Sequence, residues 1–103
     1  MLHALYSILS QHNEHIALRI ADDSHPIFKA HFPDFPLLPG FAIIDIIAEI
    51  LEDDLVSIKY SKFLKSIYPN DTLECTIQHK ENTRKIQIFR NKEKVSEIVY
   101  DAK

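Results

Sequence analysis

The chain has 103 residues and a formal net charge of −3, with 46% hydrophobic and 26% charged residues. This length and composition are typical of one globular domain with a modest core, so we expect residues 1–103 to form a single domain. No apolar run reaches the ~18 residues that a membrane span requires, and the first residues lack the pattern of a signal peptide. The only cysteine, Cys75, cannot form an internal disulfide, which suits a cytoplasmic location.

Charge is unevenly distributed along the chain. Residues 1–58 contain two basic and nine acidic residues, whereas residues 59–103 contain ten basic and six acidic residues. The basic half is too weakly charged to indicate nucleic-acid binding, which usually needs a clearly basic domain. A solvated, lysine-rich sheet face is the simpler interpretation, and attraction of an acidic partner to that face is the alternative.

The first half of the chain is predicted to contain a helix, a strand and a proline-rich loop. Apolar residues at helical spacing predict a short helix in residues 2–10, and alternation predicts a half-buried strand in residues 15–21. Residues 25–40 carry four of the five prolines and end in Gly40, the only glycine. Each proline fixes the backbone, so this stretch is predicted to be a stiff loop.

A central helix is predicted to follow this loop. Residues 41–51 are apolar at nine of eleven positions, so we expect a helix that is hydrophobic almost all round and buried. Residues 52–54 are all acidic. Acids oppose the helix dipole at this end, so the helix is predicted to end in a frayed and solvated turn.

The second half of the chain shows strand signals throughout. Alternating residues bounded by turn residues predict four strands, at residues 57–66, 72–79, 83–90 and 94–100. Consecutive strands of this kind predict an antiparallel meander with one buried face. The helix at residues 41–51 is apolar enough to cover that face, which indicates an α+β fold.

Two acids interrupt the apolar helix. A carboxylate on a buried helix face is costly unless it is paired or functional, and burial would favour its protonated form, as a proton donor requires. Asp45 is the first of these acids, and Glu49 lies one turn further along the same face. A buried structural hydrogen bond or an exposed stripe is the alternative for Asp45, and a solvated position near the helix end is the alternative for Glu49.

His31 and the start of the helix complete a possible site. A histidine held in a stiff loop can act as a general base, because its reference pKa lies near neutrality. The amides of Gly40 and Phe41 lie at the helix start, where they could bind an oxygen that gains negative charge. A base, an acid and such donors can remove a proton next to a carbonyl and expel a β-hydroxyl. The pair His12 and His15 lacks further ligands, so no metal site is predicted.

The residues from position 25 onward resemble a known family. The stretch HPIFKAHFPDFPLLPGFAIIDIIAE resembles the signature of the 3-hydroxyacyl-acyl-carrier-protein dehydratases of the FabA/FabZ type. His31 falls on the catalytic histidine of that motif, Asp45 on the catalytic acid and Gly40 on the glycine that opens the helix. The segment FPLLPG is similar to small dehydratase-like proteins of aryl-polyene-type gene clusters. The chain departs from the motif at Ala30 and Asp34, which replace glycines, and at Glu49, which replaces glutamine.

The resemblance implies a hotdog fold, in which a long helix at about residues 40–52 is wrapped by an antiparallel sheet. It also implies a homodimer or higher oligomer, because the acid commonly reaches the histidine from the other subunit. The implied function is dehydration of 3-hydroxyacyl thioesters on acyl carrier protein or coenzyme A in fatty-acid or polyene-type biosynthesis. No cofactor is expected, since the phosphopantetheine arm arrives with the substrate.

The sequence also fits two other interpretations. A hotdog thioesterase, or a non-catalytic hotdog module that binds acyl carrier protein, would share most of these features. Glu49 is a possible tunnel residue or second acid. The basic residues that could meet an acidic carrier are Arg84, Lys85 and Arg90.

Overall fold

The structure is a computed structural model that describes residues 3–30 and 34–103. The described chain forms six strands and two helices. In chain order they are β1 Tyr6–His12, β2 His15–Ile20, α1 Pro26–Ala30, α2 Gly40–Ile50, β3 Leu55–Phe63, β4 Thr72–Lys80, β5 Thr83–Arg90 and β6 Glu93–Ala102.

The six strands form one antiparallel sheet in the order β1-β2-β4-β5-β6-β3. Helix α2 lies on one face of this sheet, and its inward residues join the buried side chains of the strands in one cluster. Alternate residues of β2, β4, β5 and β6 supply that buried face, for example Leu18, Leu73, Ile86 and Ile98. The predicted α+β class, with one helix packed on an antiparallel sheet, is confirmed.

The prediction of a helix in residues 2–10 is wrong. Residues Tyr6–His12 form β1, which pairs with β2 through a tight turn in which Asn13 has φ 52°. A β-bulge between Ile8 and Ser10 inserts Leu9 as an extra residue. A bulge interrupts the alternation of apolar and polar residues that is typical of a strand. Ile8 and Leu9 are therefore adjacent, and the apolar positions of β1 resemble those of a helix.

The predicted four-strand meander is correct for β4, β5 and β6 but not for β3. Strand β3 pairs with β6, at the opposite side of the sheet from β4. Strand β4 already has β2 and β5 as neighbours, so no edge of β4 is available for β3. All nine residues of β3 are exposed, and the strand forms one free edge of the sheet.

The loop before α2 begins with an unpredicted helical turn. Pro26 occupies the first position of α1, where a missing N–H costs nothing. His25 precedes it, and its Nδ1 accepts a hydrogen bond from the Ile27 amide at 3.1 Å. Its Nε2 therefore carries the proton and donates to the His3 carbonyl at 2.8 Å. His25 thus joins the start of α1 to the segment before β1.

The end of α2 is ordered, which corrects the predicted frayed turn. The Asp53 amide donates to the Ala48 carbonyl and the Glu52 amide donates to the Glu49 carbonyl, with Glu52 at φ 56°. This pattern is a Schellman motif with glutamate in the left-handed position that glycine usually takes. The Asp53 carboxylate then accepts a hydrogen bond from the buried Tyr100 hydroxyl at 2.6 Å and pairs with Arg84 at 3.3 Å. The Asp53 side chain is therefore fixed at the helix end by two residues of the sheet, Tyr100 on β6 and Arg84 on β5.

Candidate active site

Helix α2 begins where the sequence predicted, immediately after Pro39, which has extended geometry at φ −61° and ψ 145°. Gly40 follows, and the ring of Phe63 from the end of β3 packs directly against it. A Cβ atom added at Gly40 would lie 2.7 Å from that ring. Glycine at this position therefore allows the end of β3 to approach the start of the helix closely.

The two acids of α2 are not buried in the single chain, which corrects the expectation for Asp45. Phe41, Asp45 and Glu49 are all exposed, whereas the six residues that face the sheet are buried. Positions four apart fall on the same side of a helix, so these three side chains form one outward stripe. The helix is consequently amphipathic rather than apolar all round, and Asp45 lies where a substrate or a second chain can reach it.

Glu49 has a partner that the sequence did not indicate. The hydroxyl of Tyr6, on β1, donates a short hydrogen bond to Glu49 Oε1. Partial burial of the phenol, together with this bond and the nearby negative charge, raises the pKa of Tyr6 to about 12. The sequence pattern predicts a helix over residues 2–10 and assigns Tyr6 no partner. The bond links the last turn of α2 to the edge strand β1.

His31 lies outside the described residues, between the end of α1 at Ala30 and the next described residue, Asp34. Its proposed role as the base therefore stays a prediction. After these residues, the Leu38 amide donates to the Ile67 carbonyl at 2.7 Å, which joins the segment before α2 to the segment after β3. Before them, the His25 side chain caps the start of α1.

A cavity of ≈ 450 Å³ opens beside the start of α2. Its wall includes Pro39 and Gly40 from the helix start, Phe63 from β3 and Ser96 from β6. Ser96 is fully buried, and its hydroxyl has no hydrogen-bond partner among the described residues. No sequence pattern marks Ser96 as a site residue, because its position in the cavity depends on the pairing of β6 with β3.

Two of the three basic residues predicted to meet a carrier are engaged within the chain. Arg84 pairs with Asp53, and Arg90 Nη1 lies 2.6 Å from Asp71 while its guanidinium lies over the Tyr68 ring. Lys85 is exposed on β5. Of the three residues, Lys85 is thus the most exposed, and its contact with an acidic partner stays a prediction.

No three histidine, cysteine, aspartate or glutamate side chains come together as a metal site within residues 3–30 and 34–103. None of the helices in that part of the chain has the length and apolar character needed to cross a membrane.

A comparison with known families decides the relationship of this chain. The sequence model of the ApeI-like family, described as ApeI dehydratase, matches residues 8–101. The chain belongs to the ApeI-like dehydratase family. The predicted relationship to dehydratases of the FabA/FabZ type is therefore confirmed.

Relatives of this ApeI-like chain include curated 3-hydroxyacyl-acyl-carrier-protein dehydratases named FabZ. The enzyme of Ehrlichia canis is 31% identical over a match that covers 65% of this chain and 57% of that enzyme. The enzyme of Xanthomonas euvesicatoria is 28% identical, with 84% of this chain and 68% of the enzyme covered. The chain thus spans between about half and two thirds of the length of these relatives.

Solved structures confirm that the ApeI-like chain has the hotdog fold. The dehydratase heterocomplex ApeI:P from Xenorhabdus doucetiae matches with a TM-score of 0.72 and 23% identity, covering 94% of this chain and 92% of that one. A putative thioesterase from Shewanella oneidensis matches with a TM-score of 0.53 and 8% identity, covering 96% and 82%. At these identities the likeness concerns the fold, which dehydratases and thioesterases share.

Proposed function

We propose that this chain dehydrates 3-hydroxyacyl thioesters carried by acyl carrier protein or coenzyme A to trans-2-enoyl thioesters. The observation that carries the proposal is the position of Asp45. It is the acid that the FabA/FabZ motif assigns to catalysis, and it faces outward from a helix whose other central residues are buried. We propose a cytoplasmic location, which suits a chain whose one thiol, Cys75, is free and buried.

In this reaction His31 removes a proton from C2 of the substrate. The electron pair of that C–H bond forms the C2–C3 double bond, and the bond between C3 and its hydroxyl breaks. Asp45 supplies a proton to the departing hydroxyl, which leaves as water. The start of α2 at Gly40 and Phe41 stabilises the negative charge that develops on the thioester oxygen. The reaction needs no metal or nucleotide, and the pantetheine arm enters with the substrate.

A second copy of the chain is proposed to complete the site. Strand β3 offers a free edge with exposed apolar side chains, including Val56 at 62% and Ile58 at 48% exposure. Unpaired strand edges favour pairing with another strand. Pairing of β3 with β3 of a second copy would form a symmetric dimer, with the outward stripe of α2 covered. The heteromeric assembly of the Xenorhabdus doucetiae relative makes a related subunit the other possible occupant of this edge.

The test is hydration of a crotonyl thioester, which is the reverse reaction, by purified protein. We expect His31→Ala and Asp45→Asn each to lower kcat by at least about 100-fold, as loss of a general acid or base does. Asp54→Asn is the matched control, since Asp54 is an exposed acid beyond the helix end, and it should keep the wild-type rate.

The same assay separates the alternatives. Thioester cleavage that survives His31→Ala would favour a thioesterase that uses Asp45 to activate water. Tight binding of acyl carrier protein with neither hydration nor cleavage would favour a non-catalytic module.

A further inference from the structure

The cavity beside the start of α2 is built from three separate stretches of the chain, within residues 37–43, at residues 63–67 and at Ser96. The last residue of β3 and the first half of β6 form one side, where Phe63 and Ser96 are direct partners in the sheet. The segment after β3 is fixed to β6, because the Leu64 amide donates to the Val95 carbonyl at 2.8 Å. The volume of ≈ 450 Å³ falls within the range of small-molecule sites.

Ser96 stands out among the helix-facing residues of β6. The inward positions of this strand are Ser96, Ile98, Tyr100 and Ala102, all buried. Two of them carry a hydroxyl. The Tyr100 hydroxyl is bonded to Asp53, whereas Ser96 Oγ has no partner among the described residues. Burying a hydroxyl without a partner destabilises the fold, so the presence of Ser96 calls for an occupant of the cavity.

The chemistry around Ser96 indicates what that occupant is. The rest of the wall is largely apolar, and the positive end of the α2 dipole lies at Gly40 on the same cavity. A hydroxyl donor and a helix N-terminus together favour an oxygen that bears partial negative charge. The neighbouring apolar residues, such as Ile43 and Leu38, suit an alkyl chain attached to that oxygen's carbon.

We infer that the Ser96 hydroxyl donates a hydrogen bond to the thioester carbonyl oxygen of the acyl substrate, in the cavity that Ser96 shares with Gly40. This inference rests on the proposed function, since it adds a substrate-binding residue to the same site. Ser96 holds the carbonyl from the β6 side while the helix start faces it from the other. An acyl thioester is then distinguished from a ligand that has the same chain but no carbonyl.

The experiment compares two ligands that the protein cannot dehydrate. Octanoyl-pantetheine has the thioester carbonyl, and S-octyl-pantetheine is the thioether without it. Dissociation constants are measured by calorimetry for the wild type, Ser96→Ala and Ser66→Ala. Ser66 lies on the same cavity but is exposed, so its replacement is the matched control. Ser96→Cys, which preserves the shape but donates weakly, is the second variant.

We expect Ser96→Ala to weaken binding of the thioester about tenfold, as one hydrogen bond is worth, and to leave thioether binding unchanged. Ser96→Cys should give a smaller loss of the same kind, and Ser66→Ala none. The melting temperature of Ser96→Ala should equal or exceed that of the wild type, because the change removes an unpaired polar group. Hydration kcat/KM with crotonyl-pantetheine should fall at least tenfold in Ser96→Ala.

Several results would overturn the inference. Equal losses for thioester and thioether, no loss for either, or no binding of either ligand by the wild type would do so. A lower melting temperature with unchanged ligand preference would show that the hydroxyl binds a structural water. If the wild type hydrates crotonyl-pantetheine but Ser96→Ala keeps the wild-type preference for the thioester over the thioether, the proposed function survives alone. If discrimination is lost in Ser96→Ala but the wild type hydrates nothing, carbonyl binding survives without dehydration.

Discussion

Gly40 is the residue at which the start of α2 and the end of β3 meet, and it determines how closely they pack. Replacing Gly40 by alanine has two opposing effects on the stability of the fold. A glycine in a helix costs roughly 0.5–1 kcal/mol relative to alanine, which favours the replacement. The added Cβ would lie 2.7 Å from the Phe63 ring, which opposes it.

We expect Gly40→Ala to lower the free energy of unfolding by about 1 kcal/mol in the presence of Phe63, because the ring must move. In a Phe63→Ala background the clash is absent, and the same change should raise stability by roughly 0.5 kcal/mol. Urea denaturation of the wild type, the two single variants and the double variant gives the change in the free energy of unfolding in each background. The same sign in both backgrounds would contradict the role assigned to the ring.

Tyr6 gives a prediction about alkaline pH. Its pKa in the folded chain is about 12, above the ordinary value of 10.0, so folding favours the neutral phenol. The stability that this shift contributes is fully present below pH 10 and is lost as the pH rises toward about 12. The stability advantage of the wild type over Tyr6→Phe should therefore shrink between pH 9 and pH 11.5 in urea denaturation. A difference that stays constant over this range would show that the Tyr6–Glu49 bond does not hold in solution.

At the residue scale, the site residues that could be predicted from the sequence are those that belong to a motif or meet a local backbone requirement. Gly40 was found because one glycine follows a proline at a helix start, and Asp45 because an acid interrupts an apolar run. Tyr6 and Ser96 were not found, because their roles depend on partners more than 30 residues away in the chain.

At the scale of secondary-structure elements, the C-terminal end of α2 shows that contacts with the sheet can stabilise an acid at a position that is unfavourable for it within the helix alone. The Asp53 side chain is only 9% exposed, and it accepts bonds from both Tyr100 and Arg84. Burial and the hydrogen bond to Asp53 raise the pKa of the Tyr100 hydroxyl well above its usual range. Acids at the end of a helix are locally unfavourable, yet this one is held by two partners on different strands.

Replacing Asp53 by alanine should therefore destabilise the fold by about 3 kcal/mol, because Arg84 is left partly buried without its counter-ion. Asp54→Ala, the neighbouring exposed acid, should change stability by less than about 0.5 kcal/mol. Thermal or urea unfolding measures both. Similar small effects from the two variants would show that the helix end is solvated after all.

Glu52 lies two residues beyond the end of α2 and has left-handed geometry, at φ 56°. This backbone conformation is unfavourable for residues with a side chain, whereas glycine adopts it without strain. Glu52→Gly should consequently raise the free energy of unfolding by about 1 kcal/mol and remove an acid from the negative end of the helix dipole. A lower urea midpoint for this variant would argue against the Schellman motif.

The elements that the sequence predicted correctly are those whose pattern is local. Strands β2, β4, β5 and β6 alternate cleanly, and α2 follows a marked start at Pro39. Strand β1 was missed because the bulge at Leu9 disturbs its alternation. The place of β3 in the sheet was missed because strand order depends on contacts between distant segments rather than on any local signal.

At the scale of the whole molecule, two features are exposed in the single chain: the apolar edge strand β3 and the candidate catalytic residue Asp45. Strand β3 and the stripe of Phe41, Asp45 and Glu49 are the surfaces concerned. We therefore expect sedimentation analysis to find a dimer or higher oligomer. Val56→Lys combined with Ile58→Lys should shift this assembly toward monomer and lower hydration activity in parallel, since like charges then face each other across the edge. Full activity of a stable monomer would remove the need for a second chain.

We expect one active site to combine His31 of one chain with Asp45 of another. Mixing two inactive variants tests this arrangement: His31→Ala and Asp45→Asn are unfolded together and refolded so that mixed dimers form. Each mixed dimer then contains one site with both native residues, so the mixture should recover about a quarter of wild-type hydration activity under random pairing. Formation of mixed dimers with no recovery of activity would contradict the shared site.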